Sequence, residues 1–246
     1  MTKQGEIDCF KNIGTEAIEH SLNKPYSDIF CGRYLMQLGA IMLLLPTPPA
    51  KLLDLGCGTG WTSLAFARRG YNVTGQDISE TAIQYANKIM DHEEIDHLRF
   101  IVGDYEDMRF ENEFDCAVFF DSLHHSDNEE DAIRMVYRAL KPGGMCITSE
   151  LGIGHSRAKG PVEAVRLYDV TEKDMPPKRI IRAGKKAGFK LFDVYPHTSF
   201  NPTVYGRAGD NGMLAKLLRL NTVQSFMAMS VMIFFKRIGG IVVMIK

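Results

Sequence analysis

Residues 52–60 read Leu-Leu-Asp-Leu-Gly-Cys-Gly-Thr-Gly: a short apolar run, one aspartate, then three glycines on alternate positions. A helix-forming stretch, Trp61 to Arg69, follows at once. Without a Cβ, Gly56, Gly58 and Gly60 permit a tight turn and let a ligand lie against bare main chain. The helix after the turn points its free N–H groups, the positive end of its dipole, at whatever sits there. The segment predicts strand, loop and helix around a nucleotide-type ligand. The spacing D-x-G-x-G-x-G departs from the G-x-G-x-x-G of dinucleotide sites, which counts against a nicotinamide-dependent oxidoreductase.

Downstream, short apolar runs alternate with helical patterns, which predicts βαβ units and a mostly parallel sheet. The run Tyr71 to Gln76 ends at Asp77, a carboxylate suited to accept from two ribose hydroxyls. Ser79 is placed to cap the helix that follows. Leu98 to Val102 reads as a third strand and leads into Gly103-Asp104-Tyr105. Phe114 to Phe120 is a fourth, ending in Asp121-Ser122-Leu123-His124-His125. Apolar residues at Ile133, Val136, Tyr137 and Leu140 then mark one buried helix face. Leu140-Lys-Pro-Gly-Gly144 closes that helix, and Met145 to Ser149 forms a fifth strand. A helix from Pro177 to Gly188 and strands at Phe189 to Tyr195 and Gly240 to Ile245 complete the pattern.

In this order the elements resemble the class I (Rossmann-like) S-adenosylmethionine-dependent methyltransferases of small-molecule or sugar type, closely over residues 50–150 and loosely over 25–196. The resemblance implies an α/β fold with a seven-stranded, mostly parallel sheet of order 3-2-1-4-5-7-6. Strand 7 is antiparallel, helices cover both faces, and there is an N-terminal helical lid and a helical insertion before the last strand. It implies S-adenosylmethionine as cofactor. The loop residues Asp54, Gly56, Cys57, Gly58 and Gly60 would hold its amino-acid end. Asp77 would take the ribose and Ile78 would pack on the adenine. Asp104 would accept from the adenine amino group, Tyr105 would line the purine pocket, and Asp121 and Ser122 would lie near the methionine part.

The chain of 246 residues, with no repeat and no Gly/Ser/Pro-rich linker, reads as one domain with additions. Residues 1–48 are expected to be the lid, with helices over Ile13 to Leu22 and Ser27 to Leu45, stopped by Pro46, Pro48 and Pro49. Within it, Tyr26 and Phe30 are expected to pack in the core, and Arg33 to meet an anion or solvent. Residues 49–246 are expected to be the methyltransferase domain, with an insertion at about 197–238. That insertion has helical patterns at Met213 to Leu220 and Val223 to Phe235. Its Met- and Phe-rich surface suits a cap on the acceptor site, core packing, or a peripheral contact with a membrane or a lipid-linked substrate. A net charge of −1 gives no basic footprint for nucleic acid. Five scattered cysteines and a polar start, Met1 to Asp8, suggest a reducing, cytoplasmic setting with no disulfide framework.

Methyl transfer is an in-line displacement at a sulfonium carbon, which demands alignment above all. A hydroxyl acceptor also needs a base or a metal to take its proton. His124 and His125, directly after the fourth strand, are the candidate bases and acceptor contacts, His125 being preferred as the residue farther from the strand end. A metal triad of Asp121 with both histidines is set aside, because Asp121 is assigned to the cofactor. Glu150 and His155, after the fifth strand, are further substrate contacts, followed by Tyr168, Glu172, Lys173 and Asp174. The box around Asp121, the run Ser149 to His155 and the run from Val170 look like methyltransferases found alongside glycan-assembly enzymes. That points to a small-molecule or glycan hydroxyl. Protein, nucleic acid and quinone acceptors, and a binding module without turnover, stay open, the neutral charge counting against nucleic acid.

Overall fold

Alternation along a strand puts successive side chains on opposite faces. In the computed structural model, which describes residues 3–90, 93, 95–197 and 239–246, this divides the core in two. From β1 (Lys51–Leu55), Leu53 and Leu55 enter one hydrophobic cluster and Leu52 the other. Before β1 come α1 (Gln4–Asn12), α2 (Gly14–Leu22) and α3 (Cys31–Leu44). After it run α4 (Trp61–Arg69), β2 (Asn72–Asp77), α5 (Glu80–Met90), β3 (Leu98–Val102) and β4 (Phe114–Phe120). Then follow α6 (Glu129–Ala139), β5 (Leu140–Glu150), α7 (Lys159–Tyr168), α8 (Pro177–Ala187), β6 (Leu191–Pro196) and β7 (Gly240–Ile245).

The seven strands pair in the order β3-β2-β1-β4-β5-β7-β6, as expected. The first five are parallel, and β7 runs antiparallel between β5 and β6. α6 and α8 pack on one face through Ile133, Val136 and Ile180. α3 and α4 pack on the other through Leu38, Ile41 and Phe66. Local signals set the helix ends. Asn128 caps α6 by accepting the Glu130 N–H at 3.0 Å, Pro177 opens α8 at a position that needs no N–H, and Gly188 closes it in the left-handed conformation.

Four local expectations are corrected. An additional helix, α1, precedes the first one read from sequence. α3 is part of the sheet's own core, because Leu38, Ile41 and Leu45 are buried against strand residues, so residues 1–48 are not uniformly a lid. Tyr26 and Phe30 are exposed, at 78% and 53%, in a turn before α3 that no element covers among the described residues. The Lys-Pro-Gly-Gly turn lies inside β5: Leu140 already pairs with Phe114, and the chain bulges before Met145 pairs with Cys116. The helical patterns expected within 198–238 lie outside the described residues. No helix among the described residues is long and apolar enough to cross a membrane.

Candidate active site

The loop after β1 is shaped by positive φ at Gly56 (+69°), Gly58 (+54°) and Gly60 (+88°). A Cβ on Gly56 would stand 2.6 Å from the Ser122 Cβ, so glycine is required where this loop meets the end of β4. The Gly56 and Cys57 N–H groups donate to the Gln76 carbonyl at 2.8 and 3.1 Å. The Gly58 N–H donates to Asp77 Oδ2 at 2.8 Å, and Asp77 Oδ1 accepts the Ser79 N–H at 2.9 Å. Burial raises the Asp77 carboxyl above its ordinary range, against the pull of those two N–H donors. Ser79 caps α5 by accepting the Ala82 N–H at 3.4 Å.

These elements enclose a cavity of about 390 Å³ at the C-terminal ends of β1, β2 and β4. That is within the size range of small-ligand sites. Gly56, Cys57, Gly58, Asp77, Ile78, Asp104, Tyr105, Asp121, Ser122 and His125 all reach its wall. Asp54 does not. It is buried and accepts from Thr62 Oγ1 and Ser63 Oγ, both at 2.6 Å, so it anchors the first turn of α4 from behind. Burial lifts its carboxyl to about 6. Gly60 does not reach the wall either: it lies under the Phe100 ring, where a Cβ would come within 2.5 Å of Phe100 Cζ. Arg33 likewise stays away from the wall.

The N-terminal helices cover the cavity. Glu6, Cys9 and Phe10 of α1 and Ser21 of α2 face it, and Thr59 Oγ1 donates to the Ser21 carbonyl at 2.9 Å. Lys3, just ahead of α1, bonds Asp104 Oδ2 at 2.5 Å and Glu106 Oε1 at 2.7 Å. Asp104 Oδ1 accepts the Glu106 N–H, which makes it a turn residue and a wall residue together. Tyr105 donates its hydroxyl to the Ser122 carbonyl at 3.1 Å. Tyr34, Trp61 and Phe120 form an aromatic cluster on the same wall, with Trp61 and Phe120 edge to face at 5.2 Å.

A polar cluster follows β4. Asp121 takes φ +52° and leads into a 3-10 turn, Leu123–His125. Glu150, fully buried at the end of β5, accepts from the Ser122 N–H (3.1 Å), the Leu123 N–H (2.7 Å) and His124 Nδ1 (2.8 Å). His124 is buried, with Nε2 3.6 Å from Glu172 Oε2. His155 Nε2 donates to the same oxygen at 2.7 Å. Burial pushes the Glu172 carboxyl up, but the His155 bond and the neighbouring imidazoles outweigh it and hold the group below its usual range. His125 donates Nδ1–H to the Thr171 carbonyl at 2.8 Å. Burial pulls its pKa down, yet the bond and charge of Glu6, with Glu172 and Thr171, prevail and lift it to about 9. Of the four expected acceptor contacts, only His125 reaches the wall; Glu150 is spent on His124, and His155 on Glu172.

Residues 53–148 match the family model described as a methyltransferase domain. That match and the strand order together support a class I S-adenosylmethionine-dependent methyltransferase domain over these residues. It is 33% identical over 103 residues to a ubiquinone biosynthesis O-methyltransferase of Pseudomonas aeruginosa, covering 41% of this chain and 44% of that protein. To a sterol 24-C-methyltransferase of Aspergillus fumigatus it is 29% identical over 141 residues, covering 56% and 34%. The chain thus spans less than half the length of these curated relatives. In fold it is similar to an S-adenosylmethionine-dependent methyltransferase of Mesorhizobium loti, with a TM-score of 0.63 at 19% identity over 86% of this chain and 98% of that one. Phosphoethanolamine N-methyltransferase 2 of Haemonchus contortus gives a TM-score of 0.60 at 22% identity, over 85% and 51%.

Sequence reasoning missed Lys3, Glu6, Cys9 and Phe10, because the short α1 ends at a Gly14 break and carries only two strong apolar residues, Ile7 and Phe10. Their spacing of three was the available signal.

Proposed function

We propose that this domain moves the methyl group of S-adenosylmethionine to a hydroxyl of a small-molecule or glycan acceptor, with His124 as the general base. The cofactor supplies a methyl carbon already made electrophilic by its sulfonium. The residues at the cavity fit that cofactor. The loop at Gly56 to Gly58 presents main chain to the cavity, and the Asp77 carboxylate on the same wall suits the ribose hydroxyls. Acidic groups (Asp77, Asp104, Asp121) outnumber basic ones there, which suits a cationic ligand.

One observation carries the base assignment: Glu150, fully buried, accepts from His124 Nδ1 at 2.8 Å. That bond puts the proton on Nδ1 and the lone pair on Nε2; His124 lies directly behind the wall residue His125, ring centres 4.1 Å apart, so it takes the acceptor proton when the acceptor enters past His125. The imidazolium formed would lie between the Glu150 and Glu172 carboxylates, the arrangement that stabilises such a charge. His125, first choice on sequence, is a weaker base candidate. Its Nδ1 is spent on Thr171, and its raised pKa keeps it protonated at neutral pH.

The relatives' printed names cover oxygen, carbon and nitrogen acceptors. A histidine base favours oxygen among these, since an amine needs no base of this kind. The test is methyl transfer followed by mass spectrometry against sugars, lipid-linked glycans, phenols, quinols and amines. Product from a hydroxyl panel member, lost in His124→Ala, supports the reading. Transfer to amines alone, or full activity in that variant, defeats it.

A further inference from the structure

We propose that Glu6, carried in on α1, is a positioning residue of the acceptor site: it holds His125 as a charged donor on the cavity wall and ties the helix shut over the segment after α7. The inference deepens the methyltransferase reading and rests on it for its catalytic consequence.

Four contacts make the arrangement specific. α1 lies hard against the end of α7, since a Cβ on Gly5 would fall 2.0 Å from the Asp169 carbonyl oxygen. That approach brings Glu6 Oε1 to 2.6 Å from the Thr171 N–H and 3.6 Å from His125 Nδ1. Thr171 in turn accepts from His125 Nδ1 at 2.8 Å, which closes a ring of three residues from three separate segments. Glu6 reaches across 165 positions of sequence to make its Thr171 bond. The contact therefore exists only when α1 is docked.

The charges around His125 come from every side. Glu6 faces it from α1, Asp77 from the end of β2, and Glu172 from the segment after α7. Against these three carboxylates stand two imidazoles, His124 with its ring centre 4.1 Å away, and His155, which feels the His125 charge. With Nδ1 spent, Nε2–H is the donor left for a ligand. A fixed donor beside the acceptor oxygen favours the negative charge that grows there as the hydroxyl loses its proton. The proton itself goes to His124, the methyl carbon bonds to the acceptor oxygen, and the bond from that carbon to sulfur breaks. Lys3, three residues before Glu6 at the same N-terminal end of α1, bonds the Asp104 carboxylate. The start of α1 thus contacts both Asp104 and His125 on the cavity wall.

The decisive variant is Glu6→Gln. It keeps an oxygen for the Thr171 N–H and removes only the charge, so a merely structural role would survive it. Histidine NMR titration of the free protein should show the His125 midpoint lower by about one pH unit or more. The alkaline limb of kcat/KM for the acceptor should move down with it, while calorimetric affinity for S-adenosylhomocysteine stays as in the parent. Glu6→Asp, with the charge on a shorter arm, should move both back toward the parent. Identical His125 midpoints and superimposable pH profiles in Glu6→Gln and the parent would overturn the proposal. Absence of S-adenosylhomocysteine binding in the parent would instead defeat the methyltransferase reading, with the His125 titration still deciding the Glu6 contact.

Discussion

Glu150 Oε2 stands 2.8 Å from His124 Nδ1, and both side chains are sealed from solvent. A buried carboxylate with three donors is costly to disturb, because each donor left behind loses about 1–3 kcal/mol. Glu150→Leu is therefore expected to lower the unfolding midpoint markedly in thermal denaturation. Glu150→Gln keeps acceptor capacity but not charge. It is expected to fold and to lose kcat by roughly 10²-fold or more, as does His124→Ala, with cofactor affinity retained. Parent-like turnover in both would remove His124 from the mechanism.

Asp77 offers its two oxygens to the Ser79 and Gly58 N–H groups and faces the cavity. Asp77→Asn keeps the side-chain size but swaps one acceptor oxygen for a donor. Affinity for S-adenosylhomocysteine is expected to fall about ten- to a hundredfold, the value of one or two charge-assisted hydrogen bonds. Titration calorimetry reads this directly, and an unchanged Kd would place the ribose elsewhere.

Gly56→Ala would put a methyl group 2.6 Å from the Ser122 Cβ at a φ of +69°. Left-handed backbone costs a residue with a Cβ about 1–2 kcal/mol, before the clash is counted. The variant should melt several degrees lower and show no thermal shift with S-adenosylhomocysteine. A full ligand-induced shift would mean that the loop tolerates rearrangement.

The pH dependence of stability has two separate limbs. His125 is raised from 6.5 to about 9, so its contribution is complete below pH 6.5 and is lost as pH rises through 9. Glu129 is lowered from 4.5 to about 2: burial opposes the shift, but the Arg179 guanidinium, bonded at 2.5 and 2.9 Å, with Lys173, outweighs it. Its contribution is complete above pH 4.5 and disappears as pH falls through 2. Urea midpoints measured across this range should decline at both ends. Glu129→Gln should flatten the acid limb and Glu6→Gln the alkaline one; unchanged limbs would mean that other groups set them.

Donor atoms of His124, His125 and Glu172 lie within 4.8 Å of one another, close enough for a divalent cation to contract around. If His124 is the base, chelation with EDTA should leave turnover unchanged and added Zn²⁺ should inhibit by taking the Nε2 lone pair. Loss of turnover on chelation, restored by metal, would turn these residues into a ligand set.

Much of this architecture was legible because it is local. Strand-length apolar runs, the glycine turn, Asp77 and the helix stops each depend on near neighbours in sequence, and the strand order followed from the resemblance they built. The site's inner wiring was not local. Nothing near position 150 reveals that Glu150 would turn inward to His124, or that Glu6 would reach Thr171. Asp54 and Gly60 share the loop's spacing with residues that face the cavity, and only three-dimensional packing, against Thr62 and Ser63 or beneath Phe100, separates the two groups. Tyr26 and Phe30 looked like core because residues four apart on a helix share a face, but they sit in a turn where that rule has no hold.

The position of β7 between β5 and β6 has a consequence for biosynthesis. During translation β5 and β6 emerge with nothing to pair on their facing edges, and the gap closes only when residues 240–245 clear the ribosome exit tunnel. Until then the nascent chain offers two unpaired strand borders to any neighbour, the situation in which chains join one another rather than themselves. A stop codon introduced just ahead of residue 240 should accordingly yield inclusion bodies, where an equally short loss from the start of the chain should not.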